Sequence, residues 1–172
     1  TNIQAKIRNF NPTALNILKN YRDASFNMDI HANIKGHSIN DALGELTISN
    51  CIIKDKMDEY ILSFLSLKAT KSGLNRIVSL KSDFGHININ GQYNYASILQ
   101  SLTNIINSKL PTFPGIPKVK NTIHNDFSFD AVIEKSDWLQ HIFDIPIDLK
   151  RPFLLKGNVD DHSRKINMTL NM

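Results

Sequence analysis

Alternation of apolar and polar residues is the dominant pattern along this chain. In residues 26–36 every second side chain is apolar or absent and each intervening one is polar, which is the period of a β-strand with one buried face. The same alternation recurs at residues 44–49, 87–93, 127–131 and 166–172. Less regular strand-like stretches lie at residues 3–7, 61–69, 74–84 and 153–159. The pattern predicts a mainly β fold.

The connections between these segments are short. Polar breaks with turn residues occur at residues 36–41, at Ser72-Gly73 and at residues 160–163. Short links join antiparallel neighbours, since parallel strands need long crossovers. We therefore expect an antiparallel meander and not a βαβ array.

Two or three short helices are predicted to interrupt the meander. The clearest follows Asn94, a suitable N-cap, and extends over residues 95–110 until Pro111 ends it. A second begins at Asn11-Pro12, and a third covers residues 136–143. The helices recur between alternating strands, which suggests a weak internal repeat.

Length, composition and charge limit the number of domains and the partners to be expected. With 172 residues and no shift in composition along its length, the chain is expected to be a single segment, residues 1–172. The formal charge is +4, but the basic residues are scattered, so no nucleic-acid partner is expected. The chain starts without a leader-like segment and both ends have strand character, so we expect an interior piece of a longer protein flanked by further segments of the same chain.

Candidate chemistry is sparse. Cys51 is the only cysteine, and alternation places it on the polar face of its strand. Asp83-Phe84-Gly85 matches a kinase tripeptide without the rest of that motif set, so we interpret it as a strand end and a turn. Asp160-Asp161-His162 lies in a predicted hairpin and lacks an established metal spacing. We expect no catalytic residues, no metal site, no cofactor and no enzymatic activity.

The most informative feature is a long apolar face that the few predicted helices are too small to cover. The residues predicted to form it, called the trough residues below, are Phe26, Met28, Ile30, Ile34, Leu46, Ile48, Val78, Leu80, Ile87, Ile89, Phe127, Phe129, Ile133, Phe153, Leu155, Val159, Ile166, Met168 and Leu170. Such a face must fold on itself, associate with a second copy, or bind a ligand.

Two segments resemble repeated units of the TamB family of AsmA-like proteins, the translocation and assembly modules of Gram-negative envelopes. The first comprises residues 80–84, the alternating residues 87–93 and an amphipathic helix that ends at Leu110-Pro111. The second, residues 34–46, is a strand, a short polar turn and a strand that begins with glycine. The resemblance covers most of the chain through a loose pattern.

The resemblance implies an elongated β-taco, a folded-over antiparallel sheet with a hydrophobic interior. It also implies a periplasmic location, in a parent protein anchored to the inner membrane. The trough residues would then shield phospholipid acyl chains between the inner and outer membranes. This is the role of bridge-like lipid-transfer proteins, and the family is also implicated in outer-membrane biogenesis.

Other functions stay open at this point. The main alternative is a module that holds outer-membrane β-strands during their assembly by adding them to a sheet edge. An outer-membrane β-barrel assembly partner is a further candidate partner. A self-contained structural or adhesive β-domain is a further alternative.

Overall fold

The computed structural model of the protein describes residues 1–11, 25–54, 59–95, 97–98, 124–135, 149–163 and 165–171. Within these ranges the chain forms strands throughout, with one short 3-10 turn at Ile39–Asp41. The strands are β1 (Asn2–Phe10), β2 (Ser25–Lys35), β3 (Leu43–Lys54), β4 (Glu59–Ser72), β5 (Asn75–Ser82), β6 (Gly85–Gln92), β7 (Asp126–Ile133), β8 (Phe153–Asp160) and β9 (Lys165–Asn171).

All nine strands belong to one open antiparallel sheet whose spatial order follows the chain, from β1 to β9. Each predicted polar break falls between two paired strands, and Gly73 makes the β4–β5 turn with a φ of 60°. The mainly β fold and the antiparallel meander are therefore confirmed. Among the described strands, β1 pairs only with β2 and β9 only with β8, so both have an open edge.

The predicted helix that begins at Asn11-Pro12 lies, apart from Asn11, outside the described residues, as do the helix predicted at 136–143 and almost all of the helix predicted at 95–110. Its beginning is visible, because the backbone N–H of Ile98 donates to the carbonyl of Asn94 at 3.0 Å, the spacing of a first α-helical turn.

Two β-bulges bend the first strands, and an asparagine with positive φ lies in each. Asn9 (φ 52°) interrupts the register of β1, and Asn50 (φ 51°) interrupts that of β3. Asp29 of β2 joins the bulges, accepting hydrogen bonds from Arg8 at 2.6 Å and from the Asn50 side chain at 2.9 Å. These donors lower the pKa of Asp29, with Asn50 the larger cause and Arg8 the second.

The β3 bulge corrects one prediction. An extra residue at Asn50 reverses the alternation, so Cys51 lies on the apolar face with only 5% of its surface exposed. Burial, and secondarily the charge of Asp83, raises the pKa of the Cys51 thiol. A raised pKa disfavours the reactive thiolate, so Cys51 is a small apolar core residue.

Within the described residues, most of the buried apolar side chains form two clusters, which lie at opposite ends of the strands. One contains Tyr93, Phe127 and Val159, where β6 ends and β7 begins. The other contains Cys51, Ile53 and Leu62, where β3 ends and β4 begins, and partly buried side chains including Phe84 pack against it. Between them stretches the apolar face of the sheet.

Candidate functional site

The register of the sheet places every predicted trough residue on the same face. Directly opposed residues of antiparallel strands point to the same side, so the side of each strand can be followed from its neighbour. One row of opposed residues runs from Val78 to Ile89, Phe129, Gly157 and Met168. On the other half of the sheet, Ile30 opposes Ile48 and Ala32 opposes Leu46. We call this side of the sheet the apolar face.

Strand β4 completes the apolar face, and its contribution was missed in the sequence. Leu65 opposes Ile48 and Leu67 opposes both Leu46 and Leu80, which closes the gap between β3 and β5. The strand also carries Ile61 and Phe64 on the opposite side, where they are 58% and 44% exposed. With apolar residues on both sides, β4 shows no clear alternation from which its phase could be read.

Exposure varies strongly along the apolar face. Phe127 and Val159 are 3% and 0% exposed, whereas Met168 and Leu170 of the edge strand β9 are 53% and 49% exposed. Ile34, near the end of β2, is also exposed, at 37%. The face thus has a covered part at β7–β8 and an uncovered part at β9.

The cover is the chain that follows β6. Tyr93 packs edge to face against Phe127, with ring centroids 5.7 Å apart, and Ile98 packs on the same cluster. Tyr95 extends across the sheet, where its hydroxyl donates to the Ala42 carbonyl at 3.4 Å. Burial raises the pKa of Tyr93, whose hydroxyl has no hydrogen-bond partner within the described ranges.

Asn125 fixes this cover to the sheet. It is fully buried, and its side-chain carbonyl accepts a hydrogen bond from the backbone N–H of Asn94 at 2.9 Å. Its amide donates to the Ser97 hydroxyl at 3.2 Å and to the Asp161 carboxylate at 3.4 Å. One polar side chain therefore joins the end of β6, the start of β7 and the β8–β9 turn, a role that nothing in the alternation pattern indicated.

A cavity of about 290 Å³ lies between this cover and the β2–β6 part of the apolar face. Its lining residues are Ile34, Ala42, Leu43, Gly44, Glu45, Leu46, Leu67, Ala69, Val78, Ile89, Tyr93, Tyr95 and Ile98. Apart from the tyrosine hydroxyls, the side chains that face the cavity are apolar, because the Glu45 carboxylate pairs with Lys68 on the opposite face of the sheet. The cavity approaches the size of pockets that hold small ligands.

The opposite face of the sheet is polar and internally hydrogen-bonded. Asn88 accepts from Ser79 at 2.8 Å and donates to Asp130 at 2.9 Å, forming a ladder across β5, β6 and β7. Glu45 and Lys68 pair across β3 and β4 at 2.7 Å, and the hydrogen bond from Lys68 lowers the pKa of Glu45. Apart from Ile52, Ile61, Phe64, Ile77, Val132 and Leu154, this face consists mainly of polar side chains that water can solvate.

The motifs that suggested chemistry have structural roles. Asp83 and Phe84 form the β5–β6 turn, in which the Asp83 carboxylate accepts the Ser63 backbone N–H at 2.8 Å. Asp160 accepts hydrogen bonds from the backbone and the hydroxyl of Ser163, which hold the β8–β9 turn and lower its pKa. Within the described residues, no group of three or more His, Cys, Asp or Glu is placed to hold a metal ion.

In the part of the chain described, no helix combines the length and apolar character needed to cross a membrane. No protein-family model, no curated protein and no solved structure matches the chain.

Proposed function

We propose that this chain is a periplasmic segment of a TamB/AsmA-like protein and that its apolar face shields phospholipid acyl chains. The parent protein would be anchored in the inner membrane and serve outer-membrane biogenesis. The sheet would curve about the acyl chains as a β-taco.

The observation that carries this proposal is the continuous apolar face with a part left uncovered. Trough residues from every strand but β1 and β4 share it, and Ile34, Met168 and Leu170 on it are exposed to solvent. Contiguous exposed apolar surface marks interaction sites in soluble proteins. Acyl chains are bound by burial alone, at about 0.8 kcal/mol per CH₂ group, so no fixed polar group is required.

A second function is favoured by the open edge of β9. The edge of β1 is interrupted by its bulge at Asn9, whereas β9 pairs with β8 in unbroken register from Lys165 to Asn171. An uninterrupted open edge is a template for another strand. Under this alternative the chain holds outer-membrane β-strands by β-augmentation.

Charge substitutions within the trough test the primary proposal. Ile48→Glu and Ile89→Glu each place a carboxylate on the apolar face, while Asn90→Glu places one on the polar face next to Ile89 and is the matched control. We expect co-purified phospholipid, measured by extraction and mass spectrometry, to fall steeply for the two trough variants only. Their melting temperatures should drop modestly, because a carboxylate in an open trough stays hydrated.

Two outcomes would contradict the proposal. Global unfolding of both trough variants would show a closed core with an unpaired buried charge. Unchanged lipid content in folded variants would show that lipid binds elsewhere. Binding of extended amphipathic peptides by lipid-free protein, abolished by Thr169→Pro in β9, would instead favour β-augmentation.

A further inference from the structure

The cavity under Tyr95 differs from the rest of the apolar face because residues after β6 lie over part of it. Its floor includes the opposed pair Ala69 and Val78, and Tyr95 and Ile98 cover it. At about 290 Å³ it is nearly twice as large as an engineered apolar cavity of about 150 Å³ that binds benzene. It has room for several methylene groups of one alkyl chain.

Two cations stand at the edge of this cavity. Lys71 and Arg76 are the opposed pair next to Ala69 and Val78, towards the end of the sheet. Like charges directly opposite each other across two strands destabilise a sheet. No ion pair joins either of them to a carboxylate in the described ranges, where Glu45, which also lines the cavity, pairs with Lys68.

Among the described residues, Arg76 is held by an aromatic ring and not by a carboxylate. Its guanidinium lies over the Tyr95 ring, 5.2 Å from the centroid. Stacking of this kind uses the face of the guanidinium and leaves its N–H edge free for a carboxylate or phosphate. An anion bound there would relieve the repulsion between Arg76 and Lys71.

We propose that the cavity binds the alkyl tail of a single-chain anionic amphiphile whose head group contacts Lys71 and Arg76. This inference rests on the proposed function, because it identifies one place on the same apolar face and the class of lipid that it selects. The ligand carries a carboxylate or phosphate monoester head group on an alkyl tail. A free anion, which has no tail to fill the cavity, binds less tightly.

The test compares three probes by isothermal titration with the full 172-residue chain: dodecanoate, dodecyltrimethylammonium and inorganic phosphate, each below micellar concentrations. We expect dodecanoate to bind at least about tenfold more tightly than the cationic amphiphile, because two charge-assisted contacts are replaced by repulsion. The double variant Lys71→Gln/Arg76→Gln should remove this preference. Lys81→Gln, which removes one positive charge on the polar face of β5, is the control and should retain it.

The tail site is tested by filling the cavity. Ala69→Leu should weaken dodecanoate binding by about tenfold, whereas Ala131→Leu, a control on the apolar face of β7, should leave it unchanged. If Ala69→Leu fails to fold, nuclear Overhauser effects in the unsubstituted protein decide the question. Contacts from the dodecanoate methyl group to Val78, Ile89 and Ile98 support the site, and contacts confined to Met168 and Leu170 overturn it.

The remaining outcomes separate this inference from the proposed function. Equal affinity for both amphiphiles, or inorganic phosphate binding as tightly as dodecanoate, overturns the recognition of an anionic head on a tail. If Ile48→Glu loses co-purified phospholipid while Ala69→Leu leaves dodecanoate binding unchanged, the proposed cavity site is wrong. The proposal that the apolar face shields acyl chains remains supported in that case. If Ala69→Leu weakens dodecanoate binding but the parent protein carries no co-purified phospholipid, the cavity site is supported. The proposal that the apolar face shields phospholipid acyl chains is then contradicted.

Discussion

Two neighbouring parts of the apolar face differ in exposure although their strand sequences look alike. Phe127 and Val159 on β7 and β8 are almost completely buried, while Met168 and Leu170 on β9, the next strand, are about half exposed. β7 and β9 alternate regularly and β8 less so, and the register places the apolar residues of all three strands on the same face. The difference arises from the chain after β6, which packs Tyr93 and Ile98 on the first part.

This comparison teaches that alternation determines which face a residue occupies and says nothing about what lies over that face. A covered apolar residue contributes to the stability of the fold, at about 25 cal/mol per Å² of apolar surface buried. An apolar residue exposed to solvent contributes less to the stability of the fold and is available to contact a ligand or another protein. Within one sheet, the covered part thus serves folding, and we assign the uncovered part to binding.

The largest expected effect comes from placing the same charge in each part. Val159→Asp buries an unpaired carboxylate at a site with no exposure, which we expect to cost about 3–5 kcal/mol and to unfold most of the protein. Met168→Asp, at 53% exposure, should cost less than about 1 kcal/mol. Urea denaturation followed by circular dichroism measures both, and equal losses would show that β9 is as covered as β8.

A smaller effect is expected from removing the side chain that fixes the cover. Asn125→Ala deletes the acceptor of the Asn94 N–H and the donors to Ser97 and Asp161, for an expected loss of about 2–3 kcal/mol. The near-ultraviolet signal of Tyr93 and Tyr95 should weaken as the cover loosens. Asn158→Ala, on the polar face of β8, should stay within about 0.5 kcal/mol of the parent.

If Asn125→Ala melts like Asn158→Ala, the hydrogen bonds of Asn125 do not hold the cover. The burial of Phe127 would then depend on the apolar contacts of Tyr93 and Ile98 alone. A double variant, Asn125→Ala/Ile98→Ala, separates the two contributions, because coupled residues give non-additive losses.

Much of the sheet could be predicted because its information is local. Each strand has a segment of alternating or apolar residues, and each short polar break joins consecutive strands, so the antiparallel order follows directly. The trough residues share one face for the same reason: regular pairing transfers the phase of one strand to the next. Their role in lipid binding remains a prediction.

What could not be predicted depends on contacts distant in the chain or on single backbone conformations. The bulge at Asn50 reversed the phase of β3 and buried Cys51, and a lone asparagine carries no signal that distinguishes a bulge from an ordinary strand position. The buried role of Asn125 depends on Asp161, far along the chain, and on Ser97. Similarly, Arg76 and Lys71 become neighbours of the cavity only once Tyr95 lies over the sheet.

The smallest expected effect concerns the β2–β3 loop, which contributes Ala42 to the cavity beneath Tyr95. The Asp41 carboxylate accepts hydrogen bonds from the Ser38 hydroxyl at 2.5 Å and from the backbone N–H of His37 at 2.8 Å. These donors, the Ser38 hydroxyl first, hold the pKa of Asp41 well below its usual value. A pKa that is lower in the folded state stabilises the protein above the unfolded value of about 3.9, and this stabilisation is lost as the pH falls below it.

We therefore expect Asp41→Asn to melt below the parent at pH 6 and the difference to shrink at pH 2.5, because Asp41 of the unfolded parent is then protonated and must lose its proton on folding. Ser38→Ala should reproduce part of the loss at pH 6, since it deletes the first of the donors. Differential scanning calorimetry at the two pH values measures the difference between parent and variant. If the difference in melting temperature between parent and Asp41→Asn is the same at both pH values, the charge of the Asp41 carboxylate does not stabilise the loop. The effect of Asp41 would then come from the shape of its side chain.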